Sequence, residues 1–97
     1  MQDDEFEWDD AKAEANYQKH GVDFETATEV FADLFAIEEL DPGSDDHGED
    51  RYRITGMGGG ALLVVVYTER EERIRIISAR RATKREHDDY YHQNSKE

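Results

Sequence analysis

Ninety-seven residues, with 36% hydrophobic content and ten aromatics, make one small domain near the lower limit of what a single core can hold together. The charged fraction of 38% and mean hydropathy of −1.00 lean toward disorder, but periodic apolar segments argue for a fold, and one that gains from obligate association. Without cysteine there is neither a disulfide framework nor a thiolate metal site. No apolar run reaches the ~20 residues of a membrane helix, and the acidic N-terminus is unlike a signal peptide, so a soluble cytoplasmic protein is expected.

The net charge of −13 is unevenly spread. Residues 1–50 hold 18 acidic and 2 basic side chains, whereas residues 51–97 hold 10 basic and 7 acidic ones. The second half is thus suited to an anion, and the first half to solvent or a basic partner. The plain alternative is an acidic surface kept for solubility in a salty cytoplasm, which eight Arg against four Lys would also fit.

In chain order, Asp9 is placed to N-cap a first helix, with Asp10 at the positive end of its dipole and Gly21 as its left-handed stop. Asp23 caps a second, with Val22 stapling Ala27 and an apolar face of Phe24, Ala27, Phe31 and Leu34, flanked by Val30 and Phe35. Phe35–Leu40 is a short strand candidate. Residues 41–50 form an acidic loop that lacks the ligand spacing of a calcium loop. Arg51–Thr55 alternates as a half-buried strand, and Gly56–Gly60 reads as a turn. Ala61–Tyr67, a continuous apolar run, is the central strand, buried on both faces. After a turn over 68–72, Arg73–Ser78 alternates again. Thr83 and Glu86 make a capping box for a last helix from Lys84 to about Tyr91, with a frayed tail over 92–97. The order α-α-β-β-β-β-α predicts an α+β domain spanning the chain, with two N-terminal helices, a four-stranded antiparallel sheet and a C-terminal helix.

Residues 73–91 concentrate half of the basic side chains: Arg73, Arg75, Arg80, Arg81, Lys84 and Arg85. Period two puts Arg51 and Arg53 on one face of their strand, and Arg73 and Arg75 on one face of theirs, which gives an anion-binding sheet face if the registers agree. Lys84 and Arg85 oppose the helix dipole at a cost of about 0.3–1 kcal/mol each, so a helix built for stability alone would not place them there. Surface pairing with nearby acids is the competing account. RNA transesterification needs a base, an acid and cations around the phosphorane. Glu86 and His87 beside Arg80, Arg81 and Lys84 could supply them, with His20 after Lys19 as a second acid–base candidate. For any single histidine here the plainer reading, an ordinary surface residue, is the favoured one. The four His lack zinc spacing, so no metal and no cofactor is expected.

The segments Phe6-Glu7-Trp8-Asp9, Lys12-Ala13, Asn16, Lys19-His20-Gly21-Val22, Phe24-Glu25, Val30-Phe31, Glu49-Asp50-Arg51, Leu63-Val64-Val65, Thr68-Glu69-Arg70 and Arg75 to Ala82 resemble the BrnT toxins of type II toxin–antitoxin systems. The resemblance covers about residues 5–91, and its two most specific blocks are around Lys19–Glu25 and Arg75–Thr83. It departs at Asp10 and Leu34, where the family pattern has Pro. It implies a RelE-like ribonuclease fold, RNA cleavage that halts translation, and a BrnA-like ribbon-helix-helix antitoxin. It further implies a hetero-oligomer that meets operator DNA only through that antitoxin. Carried over by position, the candidates are Arg51, Arg70, Arg75, Arg80 and Glu86, with Lys19 and His20. Joined to the charge pattern, this makes Arg51, Arg75, Arg80, Glu86 and His20 the catalytic candidates, and Lys19, Arg53, Arg70, Arg73, Arg81, Lys84 and Arg85 the RNA-binding ones. A non-catalytic protein of the same fold, acting as antitoxin partner and co-repressor, is the alternative.

Overall fold

The computed structural model describes residues 4–42 and 50–94. Local capping sets the N-terminal elements. The Asp9 carboxylate accepts from the Lys12 N–H at 3.0 Å and opens helix α1, Asp10–His20. Gly21, at φ 71°, closes it by donating its N–H to the Tyr17 carbonyl. Asp23 accepts from the Thr26 N–H at 2.7 Å and starts α2, which runs only from Phe24 to Ala27 before tightening into a 3-10 helix, Thr28–Ala32. The long second helix expected from periodicity is therefore cut short. Phe24, Ala27 and Val30 are buried and Phe31 half-buried, but Leu34 is 95% and Phe35 60% exposed.

Five strands form one mixed sheet rather than the four-stranded antiparallel sheet expected: β1 (Phe6–Glu7), β2 (Ile37–Leu40), β3 (Tyr52–Gly58), β4 (Ala61–Arg70) and β5 (Arg73–Arg81), in the order β1-β5-β4-β3-β2. The missing strand was β1, two residues that pair in parallel with Ile74 and Arg75. Two residues are too few to show a period. The other pairings are antiparallel, and β4 lies at the centre, as its apolar run predicted, with Leu62–Val65 buried.

The glycine run also divides differently. Gly56–Gly58 belong to β3, and only Gly59 and Gly60, at φ 59° and 78°, make the turn. Gly56 is needed for proximity: a Cβ there would lie 3.0 Å from Val30 Cγ1 and Asp33 Oδ2 and 3.1 Å from Ala36 Cβ. Its bare backbone lets the 3-10 helix seat directly on β3.

The core joins Trp8, Val22, Phe24, Ala27 and Val30 to Ile54, Leu63, Val65, Tyr67, Ile76 and Ala79 on one sheet face. Edge-on aromatic contacts, Trp8 with Phe24 at 5.8 Å and Phe31 with Tyr67 at 5.0 Å, fill it. Beyond Arg75 the outer edge of β5 has no strand neighbour, and Asn16 of α1 substitutes for one. Its side-chain amide donates to the Ala79 carbonyl at 2.8 Å and to the Val22 carbonyl at 3.0 Å, and its oxygen accepts from the Ala79 N–H at 3.1 Å. A buried Asn inside a helix needs such partners, and these tie α1 to the sheet.

Helix α3 spans Lys84–Asn94, three residues further than expected, so residues 92–94 are helical rather than frayed. The Asn94 amide donates to the Phe35 carbonyl at 3.1 Å and to the Tyr90 carbonyl at 2.8 Å. Of the acidic loop, Asp41 donates its N–H to the Arg51 carbonyl at 2.8 Å; residues 43–49, and the tail residues 95–97, lie outside the described residues.

Candidate nucleic-acid interface

The second sheet face is built by register. Arg53 on β3 stands opposite Val66, which stands opposite Ser78; Val64 stands opposite Arg80, and Thr68 opposite Arg75. The pairing slips between Val66 and Tyr67, leaving Ile77 of β5 without a cross-strand partner. This bulge reverses the alternation of β5. Strict period two would put Arg75 and Arg80 on opposite faces; the bulge puts Arg73, Arg75 and Arg80 together, on the face that carries Arg53 and away from the core.

Three arginines of this face are held by carboxylates. Arg53 meets its cross-strand neighbour Glu39 at 3.1 Å, and Arg75 meets Glu7 of β1 at 3.4 Å. Arg80 and Glu86 form a fork, Nη1 to Oε1 at 2.8 Å and Nη2 to Oε2 at 3.0 Å. Glu86 also completes the capping box: Oε1 accepts from the Thr83 N–H at 2.8 Å, and the Glu86 N–H donates to Thr83 Oγ1 at 3.2 Å. The Arg80 hydrogen bonds, more than the cap, hold the Glu86 carboxyl down at about 2 despite partial burial, and Glu86 in turn raises Arg80. A carboxylate so held is a weak proton acceptor near neutrality; its geometry is that of a clamp on Arg80.

Helix α3 crosses this face. Glu86, Asp89 and Gln93 line a cleft with Ile37, Glu39 and Thr55. Below it, Asp33 accepts from Tyr90 Oη at 2.7 Å and the Met57 N–H at 2.8 Å through one oxygen, and from the Phe35 N–H at 2.9 Å through the other. Burial pushes the Asp33 carboxyl up, but those three donors outweigh it and leave it below its ordinary value. Burial, and then Asp33, pushes the Tyr90 phenol up to about 12. No sequence pattern announced this clasp, because Asp33 and Tyr90 are 57 residues apart.

The remaining candidates are dispersed. Arg51 sits half-buried just before β3, and Arg70 and Arg73 flank the β4–β5 turn. Arg81 and Arg85 are exposed and, among the described residues, make no ion pair; Lys84 meets Asp88 at 3.4 Å. Lys19 and His20 end α1 in the helical layer. The neighbouring Gly21 lines a hollow with Arg81, but His20 is bonded to neither Arg80 nor Glu86. The fold thus gathers Arg53, Arg75, Arg80 and Glu86, and leaves His20 outside that group. Among the described residues no cluster of three or more His, Cys, Asp or Glu side chains has metal-holding geometry, and no helix is long and apolar enough to cross a membrane.

A family model described as the ribonuclease toxin, BrnT, of type II toxin–antitoxin systems matches residues 8–86, from Trp8 in the core to the Glu86 clamp. The chain belongs to the BrnT toxin family. None of the curated proteins compared with it matches. The BrnT family is one of ribonuclease toxins of type II systems, and such a system implies an antitoxin partner.

Proposed function

We propose that this BrnT-family chain is an endoribonuclease that inhibits translation by cleaving RNA through metal-independent general acid–base chemistry. Arg80 and Arg75, with Arg51, would stabilise the charge developing on the phosphorane, while Arg53, Arg70, Arg73, Arg81, Lys84 and Arg85 guide the backbone. Lys19 and His20, at the end of α1 in the helical layer, would meet RNA only from outside this path. The observation that carries the reading is the β5 bulge, which collects guanidiniums from β3 and β5 on one face beside α3. A cytoplasmic hetero-oligomer with a BrnA-like ribbon-helix-helix antitoxin, reaching operator DNA only through that partner, completes the proposal.

RNA cleavage by the purified chain, with and without EDTA, tests it. Wild type should cut equally in both, and Arg80→Ala should lose about 10²-fold or more in rate. Inhibition by EDTA would refute metal independence.

One observation favours a second reading, a non-catalytic antitoxin partner and co-repressor: Arg53, Arg75 and Arg80 are each already engaged by a carboxylate. Induced expression separates the two. Growth arrest that Arg80→Ala relieves supports the nuclease, and expression without arrest supports the binder.

A further inference from the structure

Three of the large apolar side chains that the fold leaves exposed stand along one sheet edge. Leu34 (95%) and Phe35 (60%) lie at the entrance to β2, and Leu40 (58%) at its exit. Their exposure is built in. Asp33 accepts from the Phe35 N–H and the Tyr90 hydroxyl, and the Phe35 carbonyl accepts from Asn94, so the turn is pinned with these side chains outside. β2 is the last strand of the sheet, and its far side meets no strand among the described residues. About half of its backbone N–H and C=O groups therefore point away from β3. An open edge flanked by exposed apolar side chains is a template for a further strand. Charge decides which strand fits. Glu38 and Leu40 stand opposite Ile54 and Tyr52, on the face that carries the core. Glu38 is exposed and makes no ion pair among the described residues, whereas Glu39, on the other face, is engaged by Arg53. A second copy pairing through its own β2 would bring the Glu38 and Glu39 side chains of both chains together, which repels. A basic segment meets the opposite sign.

We propose that the outer edge of β2 receives an extended segment of the antitoxin, added to the sheet as a further strand. Its apolar side chains rest on Leu34 and Phe35 at one end and on Leu40 at the other, and a Lys or Arg between them meets Glu38. The backbone bonds supply affinity, and the alternation of apolar and basic side chains supplies the choice of partner. The inference rests on the antitoxin partnership that both readings above share, and it names the surface and the chemistry of the partner. The edge lies three strands away from β5, so docking there is separate from the Arg75 and Arg80 group.

Two measurements on the full chain test this, with thermal unfolding confirming that each variant is folded. In the first, the chain is titrated with the purified product of the gene adjoining its own. Leu34→Glu and Glu38→Lys should each weaken binding about tenfold or more, while Tyr17→Glu, an exposed apolar position on α1, should bind as wild type does. In the second, amide hydrogen exchange is compared between the free chain and that complex. The amides of β2 should slow on binding, and those of β1 at the opposite edge should not. Wild-type affinity for both Leu34→Glu and Glu38→Lys, or unchanged exchange in β2 within a complex that forms, would overturn the docking edge. Slowing of β2 on concentrating the chain alone would assign the edge to a second copy and overturn it as well. A wild-type chain that forms no complex would sink the antitoxin partnership itself. Protection of β2 by a chain that cuts no RNA would sink only the nuclease reading and leave the edge standing.

Discussion

Glu86 shows how much one side chain can be asked to do. The same carboxylate caps α3 and grips Arg80, and those two bonds decide its protonation. The sign of the pH effect follows. Its folded value of about 2 lies below the ordinary value near 4.5, so its contribution to stability is complete above about pH 5 and fades as pH falls toward 2. Chemical denaturation at pH 7 and pH 3 should show Glu86→Gln losing about 1 kcal/mol relative to wild type at the higher pH and much less at the lower. The effect is modest because the pair is partly in water. A difference independent of pH would contradict the clamp.

Gly56 makes a second prediction at this scale. Gly56→Ala would press a methyl group on Val30, Ala36 and Asp33, and overpacking of this kind costs about 1–3 kcal/mol. The denaturant midpoint should fall accordingly, and an unchanged midpoint would mean that the 3-10 helix yields freely.

Among the elements, the β4–β5 hairpin is strained at its turn. Glu71 and Glu72 adopt φ of 51° and 66°, a conformation that costs a residue with a Cβ about 1 kcal/mol or more. Two-residue turns of this geometry favour Asn-Gly. Replacing Glu71 by Asn and Glu72 by Gly should therefore raise stability by about 1 kcal/mol, read as a higher melting temperature; a fall would show that the carboxylates serve the turn. Helix α3 is placed by a few polar contacts, Glu86 to Arg80, Tyr90 to Asp33 and Asn94 to Phe35, rather than by a broad apolar face. Tyr90→Phe should cost about 1 kcal/mol. Faster amide exchange in α3 than in β4 would accompany it, because the helix would lose its clasp while the central strand keeps its pairings.

For the whole molecule, an excess of acid on the N-terminal half works against folding through self-repulsion. If the composition is an adaptation to salt, thermal stability should climb as KCl is raised toward molar concentrations, beyond the range in which simple screening is complete. Indifference to KCl would dispose of that idea. The paired arginines make a related point: a nucleic acid approaching the sheet face competes with Glu7, Glu39 and Glu86, whereas Arg81 and Arg85 are open to it.

What the sequence determined by itself is local. Asp9, Asp23, the Gly21 stop and the Thr83–Glu86 box each act within one turn of helix, so neighbours in the chain suffice to specify them. The central strand was equally plain, since a continuous β-branched run has few other uses. Tertiary structure decided the rest. It shortened the second helix because the glycines of β3 draw the chain into a tight 3-10 seat, leaving Leu34 and Phe35 outside the core. It added β1, whose two residues gain their strand character only from β5. It inserted a bulge at Ile77, and that one-residue slip moved Arg80 to the face of Arg75 and Arg53. Spacing can list the arginines of this chain, but the face each one occupies depends on a register set across strands.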